Sequence, residues 1–284
     1  MKIIYILTAI TLLTSCKKDT TPDNNNNGGG TTDVNVSGKL KKIIQSITGT
    51  RTAYITTLEF DATNRLLKFN EWKDDSTFTP IKITEAHYST FSYNGTSNFP
   101  TKNTVTNETG LTDSSLYFYD ASNNIIKEDY YRNNVVITRN AYTITSPTLT
   151  KRIKSYSNGS GTLVVNSNDS IVYDNQGKVN ETRFYSSSNV YKGKDTYGYD
   201  TKSNPLSSIN VFKVVHSLYG DDRKDFYNAT NNLTNYNNIN GSSLTSISFT
   251  YNYSTNLFPV SGSATLTSGS PSVTQSSTLR YEYY

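Results

Sequence analysis

The chain has 284 residues, a formal charge of +4, 34% hydrophobic residues and a single cysteine. One cysteine excludes an intramolecular disulfide and a cysteine-based metal site. The positive surplus is scattered rather than gathered into a stripe, which excludes a nucleic-acid footprint.

Residues 1–15 carry one cation, Lys2, then an apolar run from Ile3 to Leu13, then Thr14 and Ser15 ahead of Cys16. This is the layout of a secretory signal peptide. The run is too short to span a bilayer, for which a helix needs about 20 residues. Leu13-Thr14-Ser15-Cys16 resembles a lipobox at all four positions. The expected product begins at a lipidated Cys16, and multiple acyl chains on one residue give stable attachment to a lipid bilayer. Residues 16–37 are rich in Asn, Gly, Thr and Asp and almost free of apolar side chains. They read as a flexible tether with a root-mean-square reach of roughly 25 Å. The expected location is therefore the cell envelope, as an outer membrane lipoprotein facing the periplasm or the cell surface.

Residues 38–284 form the expected folded domain. The chain holds 23 Tyr against one Trp and one Met, with abundant Thr, Ser and Asn, which is the chemistry of strands and turns. An aromatic residue followed by Asp or Asn recurs at Phe60-Asp61, Tyr93-Asn94, Tyr119-Asp120, Tyr173-Asp174, Tyr199-Asp200, Tyr227-Asn228 and Tyr251-Asn252. Each copy has Asn or Gly three or four residues later and then an apolar residue that opens the next run. The period is about 26 residues, and the double gap after Tyr119 predicts a degenerate copy near Tyr142 to Leu149. Each unit reads as a β-hairpin. The side chains of Asp61, Asn94, Asp120, Asp174, Asp200, Asn228 and Asn252 are expected to cap the turns by accepting a backbone N–H two residues on, while the later Asn or Gly takes the left-handed backbone. Within a run, Tyr54, Thr56, Leu58 and Phe60 share one face, and Ile55, Thr57 and Glu59 share the other.

These units predict an all-β fold: an antiparallel up-and-down meander of about 14–18 strands. A sheet of that width seldom stays open, so closure or near closure into a barrel is expected. Ser207 to Gly220 breaks the rhythm. Ile209, Phe212, Val215 and Tyr219 fall at helical spacing, which predicts a short helix near 208–219, capped by Ser208 and Gly220 and plugging one end.

The Tyr-Asp-x-x-(Asn/Gly) series resembles the YD repeats of Rhs-type proteins. The string Tyr199-Asp200-Thr201-Lys202-Ser203-Asn204-Pro205, followed by Asn231-Asn232-Leu233, is similar to a family of uncharacterised diderm lipoproteins with a porin-like β fold. The resemblance covers roughly residues 38–284. It implies that fold, and it implies no enzymatic role or ligand. Three of the seven copies carry Asn, which argues against an acidic role common to all.

No catalytic set, metal site or cofactor is expected. There is no Gly-x-Ser-x-Gly elbow, and His87 and His216 are the only histidines. Asp174 to Gly177 and Asp221-Asp222 lack the bidentate Glu of an EF-hand loop. A pair of carboxylates meeting from different strands is the one hydrolytic arrangement that spacing leaves open. A membrane-spanning barrel is disfavoured because Arg280 and Glu282 share a face with Tyr284 and would meet lipid. The expected function is a non-enzymatic binding or scaffolding module for a glycan or an envelope protein. Tyr130, Tyr131, Tyr185 and Tyr191 are its candidate exposed ligand-binding residues, since Tyr offers an apolar body with a polar tip. The alternatives are a hydrolase of envelope or extracellular polysaccharide and a purely structural envelope lipoprotein.

Overall fold

The computed structural model describes residues 38–284 except 79–80, 159, 215–228, 242 and 270. The signal peptide, Cys16, the tether, His216, Asn228 and the pair Asp221-Asp222 lie outside the described residues.

The chain forms sixteen strands: β1 (Leu40–Ile47), β2 (Thr52–Phe60), β3 (Leu66–Asp75), β4 (Lys82–Tyr93), β5 (Pro100–Asn107), β6 (Thr112–Tyr119), β7 (Ile125–Arg132), β8 (Val135–Ser146), β9 (Leu149–Ser157), β10 (Leu163–Tyr173), β11 (Val179–Ser186), β12 (Tyr191–Ser203), β13 (Asn231–Asn240), β14 (Ser243–Tyr253), β15 (Pro259–Ser268) and β16 (Val273–Tyr283). Each pairs antiparallel with its sequence neighbours, and β1 pairs with β16 from Leu40↔Tyr283 to Ile47↔Ser277, closing a barrel. Closure leaves no free sheet edge. The expected strand count, meander and closure are all observed.

Turn chemistry follows from a few side chains. Asp61 Oδ1 accepts the N–H groups of Thr63 (2.9 Å) and Arg65 (3.0 Å), and Asn64 takes φ 64°. Asp120 does the same with Ser122 and Asn124, with Asn123 at φ 63°; Asp174 does so with Gln176 and Lys178, with Gly177 at φ 76°. The degenerate copy is the tight turn between Ser146 and Leu149. Two other predicted caps act differently. At Asn94 it is the backbone carbonyl that accepts the Ser97 N–H, and the left-handed residue is Gly95. Asn252 lies inside β14 and donates to Ser261 Oγ, while Ser254 holds that turn through the Phe258 N–H. Asp200 lies inside β12 and makes the expected bond to the Lys202 N–H at 2.9 Å.

Four aromatics of the repeat, and Tyr283 at the end of β16, have a second task that the repeat pattern does not reveal. Tyr93 Oη donates to the Leu66 carbonyl (2.6 Å), Tyr119 to Pro100 (2.7 Å), Tyr199 to Val179 (2.7 Å), Tyr251 to Leu233 (2.6 Å) and Tyr283 to Pro259 (2.7 Å). Each of these five acceptors lies at or near the start of the preceding hairpin's return strand, so the bond staples the tyrosine's hairpin to the one before it. Phe60, in the first unit, has no preceding hairpin and no hydroxyl. Tyr119→Phe is expected to cost about 1 kcal/mol, the usual net worth of one such bond, measured as a lower urea midpoint with unchanged slope.

Sixteen strands enclose more space than wall side chains alone fill. The β12–β13 connection enters it: Leu206, Ile209, Val211 and Phe212 are all buried, and the Phe212 ring meets Phe69 edge-on at 5.4 Å. The described helix, α1, spans only Asn210–Val214. The predicted N-cap does not form, since Ser208 Oγ donates to the Pro205 carbonyl; the predicted C-terminal half lies outside the described residues.

The outer wall is polar. Lys68 pairs with Glu59, Lys194 with Glu181 and Arg280 with Glu282, and Thr250 with Ser263 and Asn237 with Thr196 form hydrogen-bonded cross-strand pairs. A lipid-facing wall needs an apolar band about 25 Å high. Exposed apolar side chains, Tyr88 and Ile153 among them, stand on the strands beside these pairs.

A polar belt and a cavity inside the barrel

Register places one side chain per strand at each level of the lumen, because directly opposed residues share a face. At the rim where β1 begins, the lumen is lined by Phe60, Tyr93, Tyr119, Tyr199 and Tyr251, packed on an apolar layer containing Leu58, Phe69, Phe91, Ile171 and Leu279. Deeper in, polar residues take over: Gln45, Ser89, Asn103, Ser115, Glu128, Asn140, Arg152, Asp169, Thr182, Asp195, Asn238 and Ser277 are all buried. Neighbours in this belt bond across strands. Gln45 Nε2 donates to Ser277 Oγ (2.8 Å), Asn140 Nδ2 to Glu128 (3.1 Å), Asn238 Nδ2 to Asp195 (2.6 Å), and Arg152 donates through Nε and Nη2 to Asp169 Oδ2 (3.0 and 2.9 Å). Sequence reading missed the belt because polar residues at inward positions blur the alternation that marks a strand.

Glu128 and Asp129 show what the two walls do to one chemical group. Strand alternation sends Glu128 into the lumen, where burial raises its pKa from 4.5 to about 7, against the opposing pull of Asn140, Lys154 and Arg152. Asp129 is on the outer wall. Burial there pushes upward too, but bonds from Arg139 and Lys127 outweigh it and hold the carboxyl below its ordinary range. The sign for Glu128 follows from linkage. Below pH 4.5 the group is neutral in both states; between 4.5 and about 7 only the unfolded chain ionises, so stability falls as pH rises through that window and levels off above it. Glu128→Gln is expected to flatten this limb, leaving the variant more stable than the parent at pH 8 by about 2–3 kcal/mol. Urea titrations at pH 5 and pH 8 measure it.

Between the plug and the strands β1–β4, β13, β14 and β16 lies a cavity of about 120 Å³. At about 10–15 Å³ per water position, that is room for on the order of ten heavy atoms. Its wall is apolar at Ile43, Phe249, Leu279 and Tyr281 and polar at Gln45, Tyr54, Glu71 and Glu85. Glu85 takes φ 54°, a left-handed backbone that a non-glycine residue rarely adopts. It accepts an ion pair from Lys73 at 3.3 Å through Oε1. Burial, reinforced by the charge of Glu85, pushes the Tyr54 hydroxyl up to about 12. Trp72, the single tryptophan, also lines the cavity. Among the described residues no group of three or more His, Cys, Asp or Glu is placed to hold a metal ion.

The four candidate tyrosines do not form one site. Tyr130 points into the lumen, is buried, and donates to Asp113. Tyr131 is half-buried on the other face of the same strand. Tyr185 and Tyr191 are directly opposed across β11 and β12 with ring centroids 5.7 Å apart, Tyr185 half-buried and Tyr191 exposed.

No protein-family model matches the chain, and no curated protein matches it in sequence. Among solved structures it is similar to a porin-like protein from Bacteroides vulgatus ATCC 8482, with a TM-score of 0.49 and 12% identity over 87% of this chain and 98% of that one. A porin-like protein from Bacteroides uniformis ATCC 8492 gives a TM-score of 0.42 and 10% identity over 86% and 96% of the two chains.

Proposed function

We propose that this is an envelope lipoprotein, anchored through Cys16, whose water-facing barrel is a non-enzymatic binding module with its site in the lumenal cavity. The observation that carries the reading is the cavity itself: a pocket of ligand size whose lining mixes apolar and polar side chains. The polar outer wall removes the need for the strands to meet lipid, so attachment falls to the N-terminal segment. The lipobox Leu13-Thr14-Ser15-Cys16, the tether 16–37 and the resemblance to a YD-repeat lipoprotein family support that part. Whether the barrel faces the periplasm or the cell surface is decided by protease shaving of intact cells. Cys16→Ala is expected to release the protein from the membrane fraction; retention in that fraction would overturn the anchor.

For the binding module, the experiment is a thermal-shift screen of the full-length chain against small amphipathic molecules, followed by calorimetry. Saturable shifts in the melting temperature are expected. A folded protein that responds to none of them would favour the purely structural reading. The polysaccharide hydrolase is the second reading, favoured by one observation: Glu71 and Glu85 line the same cavity, and two carboxylates are what glycoside hydrolysis requires. Turnover of glycosides that disappears in Glu71→Gln and Glu85→Gln would establish it in place of the first.

A further inference from the structure

The chemistry of the cavity wall narrows the ligand, on the reading that the cavity is the binding site. Among its polar groups, Tyr54 Oη and Glu85 Oε2 are buried oxygen atoms with no hydrogen-bond partner among the described residues. Buried polar atoms in native proteins are nearly always paired, and an orphan at a cavity wall marks the place of a missing partner. The Glu85 carboxylate can only accept a hydrogen bond, while the Tyr54 hydroxyl can accept one and donate its own proton. Glu71 brings a second carboxylate to the same wall, and Gln45 an amide. Lys73 answers Glu85 through the other carboxylate oxygen, Oε1, leaving Oε2 toward the missing partner. The partner that this arrangement fits is a group rich in N–H donors and positively charged. Ile43, Phe249, Leu279 and the ring of Tyr281 add apolar and aromatic surface to the same wall, with Leu279 directly beside Gln45 across β1 and β16.

We infer that the lumenal cavity binds a small organic amine, its ammonium held by Glu71, Glu85 and Tyr54 and its apolar body lying against Ile43, Phe249 and Leu279. Room for on the order of ten heavy atoms limits the ligand to one short alkyl or aryl chain. The Glu85 backbone supports the same reading, since the left-handed conformation that aims this side chain costs of order 1 kcal/mol or more and persists where the surroundings impose it.

The test compares three probes of one shape, n-hexylammonium, n-hexanol and n-hexanoate, titrated into the full-length chain with calorimetry as the readout. Hexylammonium is expected to bind at least ten-fold more tightly than hexanol, and hexanoate not at all. Glu85→Gln and Glu71→Gln are each expected to remove most of that preference. Circular dichroism and urea midpoints close to those of the parent show that the variants are folded. Equal affinity for hexylammonium and hexanol would overturn the amine assignment and leave the cavity as an apolar site. Binding of none of the three by folded protein would overturn the cavity reading itself.

Discussion

Replacing Asp169 by alanine is expected to destabilise the barrel by about 3–5 kcal/mol, the cost of leaving one buried charge without its partner. Arg152 and Asp169 face each other across β9 and β10, with 4% and 5% of their side chains exposed. Arg152 cannot shed its charge by titration, because a guanidinium stays protonated throughout the accessible range. With Asp169 gone, the cation stays in the lumen, where Glu128 is one carboxylate whose titration responds to it. The pair is a different matter from its halves. Arg152→Met together with Asp169→Leu removes both charges and keeps the volume, and buried ion pairs replaced this way are often neutral or better. The double variant is therefore expected to recover most of the stability lost in Asp169→Ala, measured by urea unfolding at pH 7. If the single and double variants lose the same amount, the lumen there is wet enough to screen the charge. A second readout separates the two cases: without Arg152, the pH-dependent limb assigned to Glu128 shifts upward, because one of the charges that favours its ionised form is lost.

The aromatic-Asp units were legible in the sequence because their turn chemistry is local. Asp61, Asp120 and Asp174 cap through bonds two and four residues away, so the signature lies in one short window. The same left-handed turn also occurs at the other rim, at Asn107 with Gly110, Asn158 with Gly161 and Ser186 with Asn189. It escaped the repeat count because no packed aromatic stands immediately before each of those turns in a regular series. Asp200 makes the expected bond to the Lys202 N–H at 2.9 Å, but its other partners are remote. Its carboxylate receives the N–H of Asn232 at 3.1 Å and the hydroxyl of Tyr253 as well as the local N–H of Lys202, and so ties β12 to β13 and β14 where the chain leaves for the plug. Asn252 was misread because Tyr251 and Tyr253 flank it, and the turn belongs to the later aromatic and Ser254. The candidate site was the least legible part. Glu71, Glu85, Tyr54 and Gln45 come from four strands, and only closure of the barrel and the β12–β13 connection bring them to one wall. Tyr130 shows the converse, since its exposed look came from the Tyr-Tyr pair and its strand parity points inward.

Phe212→Ala is expected to cost about 3–5 kcal/mol, the range for deleting a fully buried aromatic ring. Phe212 is 1% exposed and, through its edge-on contact with Phe69, joins the plug to the wall of β3. The five described residues of α1 are too few to be stable as a helix by themselves, so tertiary contacts such as that of Phe212 with Phe69 hold this part of the plug in place. Asn204 secures the entry to the plug, donating to the Ala229 carbonyl at 2.8 Å and accepting from the Leu206 N–H at 3.0 Å. These bonds remain in the variant, so the loss falls on the inner end of the connection. The expected result has two parts: a lower midpoint of unfolding, and faster amide exchange confined to Leu206 through Phe212 under conditions where the barrel strands stay protected. A double-mutant cycle with Phe69→Ala is expected to give a coupling of about 0.5–1.5 kcal/mol for the ring pair. Because Leu206 also lines the cavity, loosening the plug should change the ligand site as well. Phe212→Ala is expected to weaken hexylammonium binding by raising its dissociation rate, while Tyr119→Phe, across the lumen and outside the cavity wall, leaves that rate unchanged. Equal dissociation rates in all three proteins would mean that the ligand enters and leaves without movement of the plug.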